Sequence, residues 1–204
     1  RFDPNGLAGP FNNVANGSAQ SPLLVGTADA SDNGLDPDPN GNGDPTEVGE
    51  NDPTPIPITE NPVLGVAKSA AATVDNGDGT FDSAITVTLE NLGNVDLSSL
   101  QVTDDLTSTF PAPATYSIQV APASGSLVVN AGYDGNADPN LLAGTDTLAV
   151  GATATITFTL RFDPNGASGP FDNTANGAAQ SPLAVATVDA SDNGLDPDPN
   201  ANGD

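Results

Sequence analysis

The first 44 residues of this chain return, without a gap, as its last 44. Arg1 to Asp44 aligns with Arg161 to Asp204, an offset of 160 residues, and nine aligned positions differ. Most differences exchange small residues, or Asn for Asp, so both copies are expected to share one backbone. Self-similarity at a fixed period marks a tandem array. Chains built this way stack modules to span distance or to present surfaces. The sequence therefore reads as a window onto a longer array, with any secretion signal or anchor expected outside it.

Composition narrows the class of module. There are 27 Asp and Glu against 3 Lys and Arg, a net charge of −24, and the cations are Lys68, Arg1 and Arg161. Such a surface repels nucleic acid and anionic membranes. It suits divalent cations, because carboxylates and Asn carbonyls are the hard oxygen ligands that calcium takes. The absence of Cys and His removes disulfides, thiol chemistry and imidazole bases. No apolar run approaches the roughly 20 residues that cross a bilayer. With 22 Gly and 19 Pro, a core must come from short apolar strands separated by turns, which predicts an all-β sandwich.

Period-two alternation locates the strands. Phe81, Ile85, Val87 and Leu89 fall on one face of a strand. Ala154, Ile156, Phe158 and Leu160 fall on one face of another, with Thr153, Thr155, Thr157 and Thr159 opposite. Shorter candidates are Leu64 to Val74, Leu100 to Leu106, Tyr116 to Val120, Leu127 to Asn130, Phe171 to Ala175 and Leu183 to Val188. About eight strands over residues 63–190 fit one immunoglobulin-like β-sandwich. Residues 1–30 match the final strands of that domain, so they read as the end of a preceding sandwich. They need completion by a neighbouring repeat or by strand addition from another subunit.

The segment Ile85 to Leu106, ITVTLENLGNVDLSSLQVTDDL, carries a strand, an Asn-x-Gly-Asn-Val turn and a Val-Thr-Asp strand end. It resembles the prokaryotic surface-repeat family known as domain of unknown function eleven, as does Ala143 to Leu160. The resemblance implies an immunoglobulin-like domain in a long secreted or surface-attached bacterial protein, commonly adhesive or fibre-forming, with no enzymatic activity.

Residues 31–62 form an acidic linker, and 191–204 begin the next one. Pro53, Pro55, Pro57 and Pro62 predict a stiff, extended spacer. Within it Asp36, Asp38, Asn40, Gly41, Asp44 and Glu47 satisfy the calcium-loop pattern D-x-[DN]-x-[DN]-G-x₅-E, with Asn42 between them. Prolines at 37, 39 and 45 exclude EF-hand helices. The second copy keeps Asp196, Asp198, Asn200, Asn202 and Asp204 but has Ala201 in place of the Gly. Asp32 and Asp192 join the expected ligand set, and Asp29, Asn33, Asp189 and Asn193 are candidates to widen it. Bound calcium would stiffen the joint between modules. The competing reading is a solvated, disordered spacer.

Strand parity places Lys68 inward with Leu64 and Val66, Asp104 inward with Leu100 and Val102, and Asn173 inward beside Phe171. A buried ammonium needs partners. Lysine, acid and Asn on the first, a middle and the last strand resemble the self-forming isopeptide bonds of bacterial surface domains. A plain Lys68–Asp104 ion pair, or a lysine reaching out to solvent, are the alternatives. Asp104 and Asp105 point to opposite faces and have no nucleophile beside them, so they make no acid/base pair.

The expectation is thus a non-enzymatic, extracellular structural repeat of a surface fibre, stalk or biofilm-matrix filament. Its partners would be neighbouring copies of itself. The alternative is an adhesin module whose loops, such as Asn130 to Thr145, bind a carbohydrate or host protein; a third reading is the accessory spacer of a cell-wall enzyme.

Overall fold

The computed structural model describes residues 7–203, which divide into two compact units, one ending at Thr59 and one beginning at Glu60. Asp204, one of the expected ligands, lies outside the described residues.

In the first unit β1 (Phe11–Asn13) pairs antiparallel with β4 (Thr54–Ile56), and β2 (Asn16–Gln20) forms a hairpin with β3 (Gly26–Ala30). The hairpin has no core: every residue of β2 is exposed, and Glu50 is the one buried residue among the described residues of this unit. The segment between β3 and β4 departs from the extended spacer expected over residues 31–62, whereas Pro55 lies in the extended β4. The segment is wound into successive turns by side-chain carboxylates and amides that accept backbone N–H groups. Asp and Asn favour such turns, and here they outweigh the extended bias of the prolines.

The second unit is an all-β sandwich. Its larger sheet runs β13–β5–β7–β10–β9, made by Asp192–Asn193, Leu64–Ala70, Phe81–Asn91, Thr153–Asp163 and Thr115–Ala123, with β6 (Val74–Asp75) also on β7. The facing sheet runs β12–β11–β8, made by Ala186–Ala190, Ala175–Gln180 and Ser98–Asp104. Ile85, Val87 and Leu89 of β7 and Ala154, Ile156, Phe158 and Leu160 of β10 are buried, as the alternation predicts. On β11 the inward face is Ala175, Gly177 and Ala179. These small residues let β5 come close: a methyl group at Gly177 would lie 2.5 Å from Val66 Cγ2.

Three predicted strands shift. Leu127 to Asn130 makes an isolated bridge, Val129 to Leu142, inside a long connection punctuated by Gly132, Gly135, Gly144 and Gly151. That connection buries Tyr133, Leu141, Leu142 and Leu148 and runs beside β8, whose backbone it satisfies through Asp104 N to Pro139 O and Leu141 N to Val102 O. Phe171 to Thr174 lead into β11 without pairing, and Leu183 and Ala184 lie in the turn before β12. An unpredicted short helix, α1 (Leu106–Thr109), starts where the exposed Asp105 carboxylate accepts the N–H groups of Thr107 and Ser108. That capping preference of Asp ends β8.

Candidate functional site

Two groups of residues carry chemistry. The first lies between the sheets of the second unit. Lys68 is 6% exposed, and its ammonium donates to Asp104 Oδ2 at 2.5 Å; Asp104 is fully buried. Strand parity read both correctly. The lysine pKa is pushed down by burial, with Asp104 pulling the other way. Asp104 Oδ1 has no hydrogen-bond partner, and the Tyr133 hydroxyl, also buried, lies against this carboxylate without closing an ordinary hydrogen bond. Burial, followed by the Asp104 charge, holds the Tyr133 phenol far above its usual range.

Asn173 does not sit on the last strand, as predicted; it lies in the unpaired stretch just before β11 and lines one cleft of about 320 Å³ with Lys68. Its Oδ1 accepts a hydrogen bond from Thr109 Oγ1 at 3.0 Å, and its Nδ2 is buried without a partner. Thr109 and Tyr133 escaped sequence reading, because one belongs to the unforeseen helix and the other to the long connection. No strand pattern points to either.

The second group is the acidic loop of the first unit. Asp38 organises it: Oδ1 accepts the N–H groups of Gly41 and Asn42 at 3.0 and 3.2 Å, and Oδ2 accepts Gly43 N at 2.8 Å. Asn40 Oδ1 accepts Asn42 N, and Asn42 Oδ1 accepts Asp44 N. Glu47 Oε2 accepts both Asn side-chain amides. These bonds centre on Asp38, the third position of the expected loop. Gly41, the sixth position of the expected loop, has φ of 70°, and Gly43 has φ of 88°. Asp36 only precedes this nest and accepts Asp38 N.

The second copy repeats these bonds. Asp198 accepts Asn202 N and Gly203 N, Asn200 accepts Asn202 N, and Gly203 has φ of 80°. Ala201 takes the left-handed backbone of its counterpart, with φ of 55° against 70° at Gly41, so the loop keeps its path although the residue is no longer glycine. Asp196 accepts Asp198 N, as Asp36 does for Asp38. Asp192 and Asn193 are drawn into β13 beside Ala67 and Lys68, and Asp189 Oδ2 accepts Val66 N at 2.7 Å. The Asp189 carboxylate thus ties β12 to β5, while the side chains of Asp192 and Asn193 remain exposed. Asp44 accepts Thr46, and Asp32 accepts Asn33 N.

Among the described residues no three carboxylates converge closely enough to hold a metal alone. A cation here would depend on Asn and backbone carbonyls as well. The residue that points to one was not predicted. Glu50 is 4% exposed, and neither of its carboxylate oxygens has a hydrogen-bond partner. Its pKa is raised, first by burial and then by the negative charges of Asp38, Glu47 and Asp32; an N–H near Asn40 acts the other way. A buried acid under the influence of three other negative charges lacks the counter-charge that such a site requires.

No family model matches the chain, and no curated protein matches it. Among solved structures, the exo-β-N-acetylglucosaminidase of Vibrio harveyi in complex with N-acetylglucosamine is similar at 14% identity and a TM-score of 0.37, over 65% of this chain and 18% of that one. The biomass-sensing module of the Rsgi2 protein of Clostridium thermocellum is similar at 13% identity and a TM-score of 0.27, over 52% of this chain and 67% of that one. The chain thus spans less than a fifth of the glycosidase. Likeness at this level carries no argument about activity. Among the described residues no helix is long and apolar enough to cross a membrane.

Proposed function

We propose that this chain is a structural repeat of an extracellular filament, stalk or matrix fibre. In it, immunoglobulin-like sandwiches follow one another in tandem and calcium orders the acidic segment between them. One observation carries the reading: the same hairpin occurs twice, once filled and once bare. Asn176↔Ala190 through Gln180↔Ala186 repeats, residue for residue, the register Asn16↔Ala30 through Gln20↔Gly26. In the second copy Thr187 Oγ1 and Asp189 Oδ2 accept the backbone N–H groups of Leu64 and Val66 on β5. In the first copy the counterpart acid, Asp29, has a buried Oδ1 with no partner. The first hairpin is shaped to receive a strand like β5, which the preceding repeat of an array would supply.

Calcium enters through Glu50. Asp38, Asn40 and Asn42 at alternate positions, the carbonyl of Asp44 and the carboxylates of Glu47 and Glu50 supply the oxygen ligands that calcium takes. Charge neutralisation removes the penalty on Glu50 and fixes the loop. The reading assigns no substrate turnover; the resemblance of Ile85 to Leu106 to a surface-repeat family supports it.

The experiment compares chains of one, two and three repeats by small-angle scattering, with calcium and with chelator. An array that lengthens in proportion to repeat number and stiffens with calcium supports the proposal. Dispersed particles whose dimensions ignore calcium, but which retain a glycan, would instead identify an adhesin.

A further inference from the structure

A filament role does not require a buried lysine, and the pair at Lys68 and Asp104 asks for its own explanation. We infer that the second unit closes a covalent isopeptide bond between Lys68 Nζ and Asn173 Cγ, with Asp104 relaying protons and Thr109 stabilising the oxyanion. The inference is independent of calcium and of the number of repeats.

Lys68 and Asn173 line one cleft, and hydrogen bonds join Lys68 to Asp104 and Thr109 to Asn173. The ammonium of Lys68 hands one proton to Asp104 Oδ2 across their 2.5 Å hydrogen bond. The neutral amine then attacks the Asn173 side-chain carbon, and its lone pair forms the new C–N bond. Negative charge gathers on Asn173 Oδ1, where the Thr109 hydroxyl already donates at 3.0 Å. A donor aimed at the developing oxyanion is the main electrostatic aid available to such a step. The second amine proton travels by way of Asp104 to Asn173 Nδ2, the C–Nδ2 bond breaks, and ammonia leaves. No electrons are gained or lost, and no co-reactant is needed.

The surroundings favour this outcome over a resting ion pair. Burial lowers the pKa of Lys68, which favours the nucleophilic amine. Asn173 Nδ2 is buried with no partner, an arrangement that penalises the amide as it stands and is relieved when that nitrogen departs. Tyr133 is buried against the carboxylate, and Ile85 lines the cleft. The cleft that Lys68 and Asn173 both line continues past Ser191 and Asp192, which gives ammonia a way out.

The bond would join residues 68 and 173 directly. Tension applied to the ends of an array would then pass from β5 to the segment before β11 and bypass β6 to β10. Those strands would not extend under load.

Intact-mass spectrometry of the folded full chain decides the matter. The expected mass is below the sequence value by one ammonia, about 17 Da. A protease digest is expected to yield one branched peptide containing Lys68 and Asn173. Asn173→Ala, at a half-exposed position, is expected to restore full mass with an unchanged circular-dichroism spectrum. Thr109→Val is expected to slow closure by roughly 100-fold, the scale of losing one oxyanion donor. Full mass in the folded wild type, after prolonged incubation at neutral pH, means a plain ion pair and overturns the inference. A deficit that survives Asn173→Ala overturns it equally.

Discussion

Gly17 and Gly177 hold the same place in the two copies of the hairpin, yet their surroundings are opposite. A methyl group at Gly177 would sit 2.5 Å from Val66 Cγ2 and 2.9 Å from Leu64 Cδ2, whereas one at Gly17 meets nothing within 4 Å. Gly177→Ala is therefore expected to destabilise the second unit by about 1–3 kcal/mol through overpacking. Gly17→Ala is expected to leave this chain unchanged in denaturant unfolding. In a chain extended by one preceding repeat, Gly17→Ala should acquire the cost of Gly177→Ala. Continued silence there would reject the idea that a preceding strand fills the first hairpin.

The unequal bonding of Asp36 and Asp38 makes a second comparison available. Asp38 gathers three backbone N–H groups and Asp36 one. By calorimetry, Asp38→Ala and Glu50→Gln should each weaken calcium binding by roughly tenfold or more, and Asp36→Ala should weaken it less. Equal losses at 36 and 38 would favour the register read from the sequence.

Protons should compete with calcium at Glu50. Its carboxyl is held above the usual range, so the folded loop binds a proton that the unfolded chain has already lost. Order in the calcium-free loop must then weaken as pH rises from the ordinary glutamate range through the raised value. In chelator, amide-exchange protection across residues 32–50 is expected to be highest in acid and to fall toward neutral pH; calcium should restore it. A profile that is flat with and without calcium would remove Glu50 from the site.

The ion pair itself can be weighed in an Asn173→Ala background, where no crosslink can form. Lys68→Met leaves the fully buried Asp104 unpaired and is expected to cost about 3–5 kcal/mol. Replacing both residues, with Asp104→Leu added, should recover most of that loss in urea unfolding. Failure to recover would show that the pair does more than satisfy its own charges.

Arg161 grips Asp82 with Nε at 2.6 Å and Nη2 at 2.8 Å, and the hydrogen bonds from Arg161 hold the Asp82 pKa below its usual value. A depressed carboxylate stabilises the fold above its unfolded pKa and loses that effect as pH falls through the folded one. Arg161→Gln should therefore move acid unfolding of the second unit to a slightly higher pH. The change is expected to be small, because both side chains remain partly exposed to solvent.

What the sequence decided by itself is local. The alternation in β7 and β10 follows from a two-residue period against an apolar interior, and the same parity turned Lys68 and Asp104 inward. The duplicated ends fixed a shared hairpin, which recurs with one register. Tertiary structure decided what depends on residues distant in the chain. Glu50 is buried because of how its loop winds, Tyr133 meets Asp104 because the long connection runs along β8, and Thr109 reaches Asn173 across 64 residues. It also decided which hairpin has a core, since of two closely similar segments only the second has β5 packed against it. Periodicity records which face a residue presents; only the folded chain supplies what that face meets.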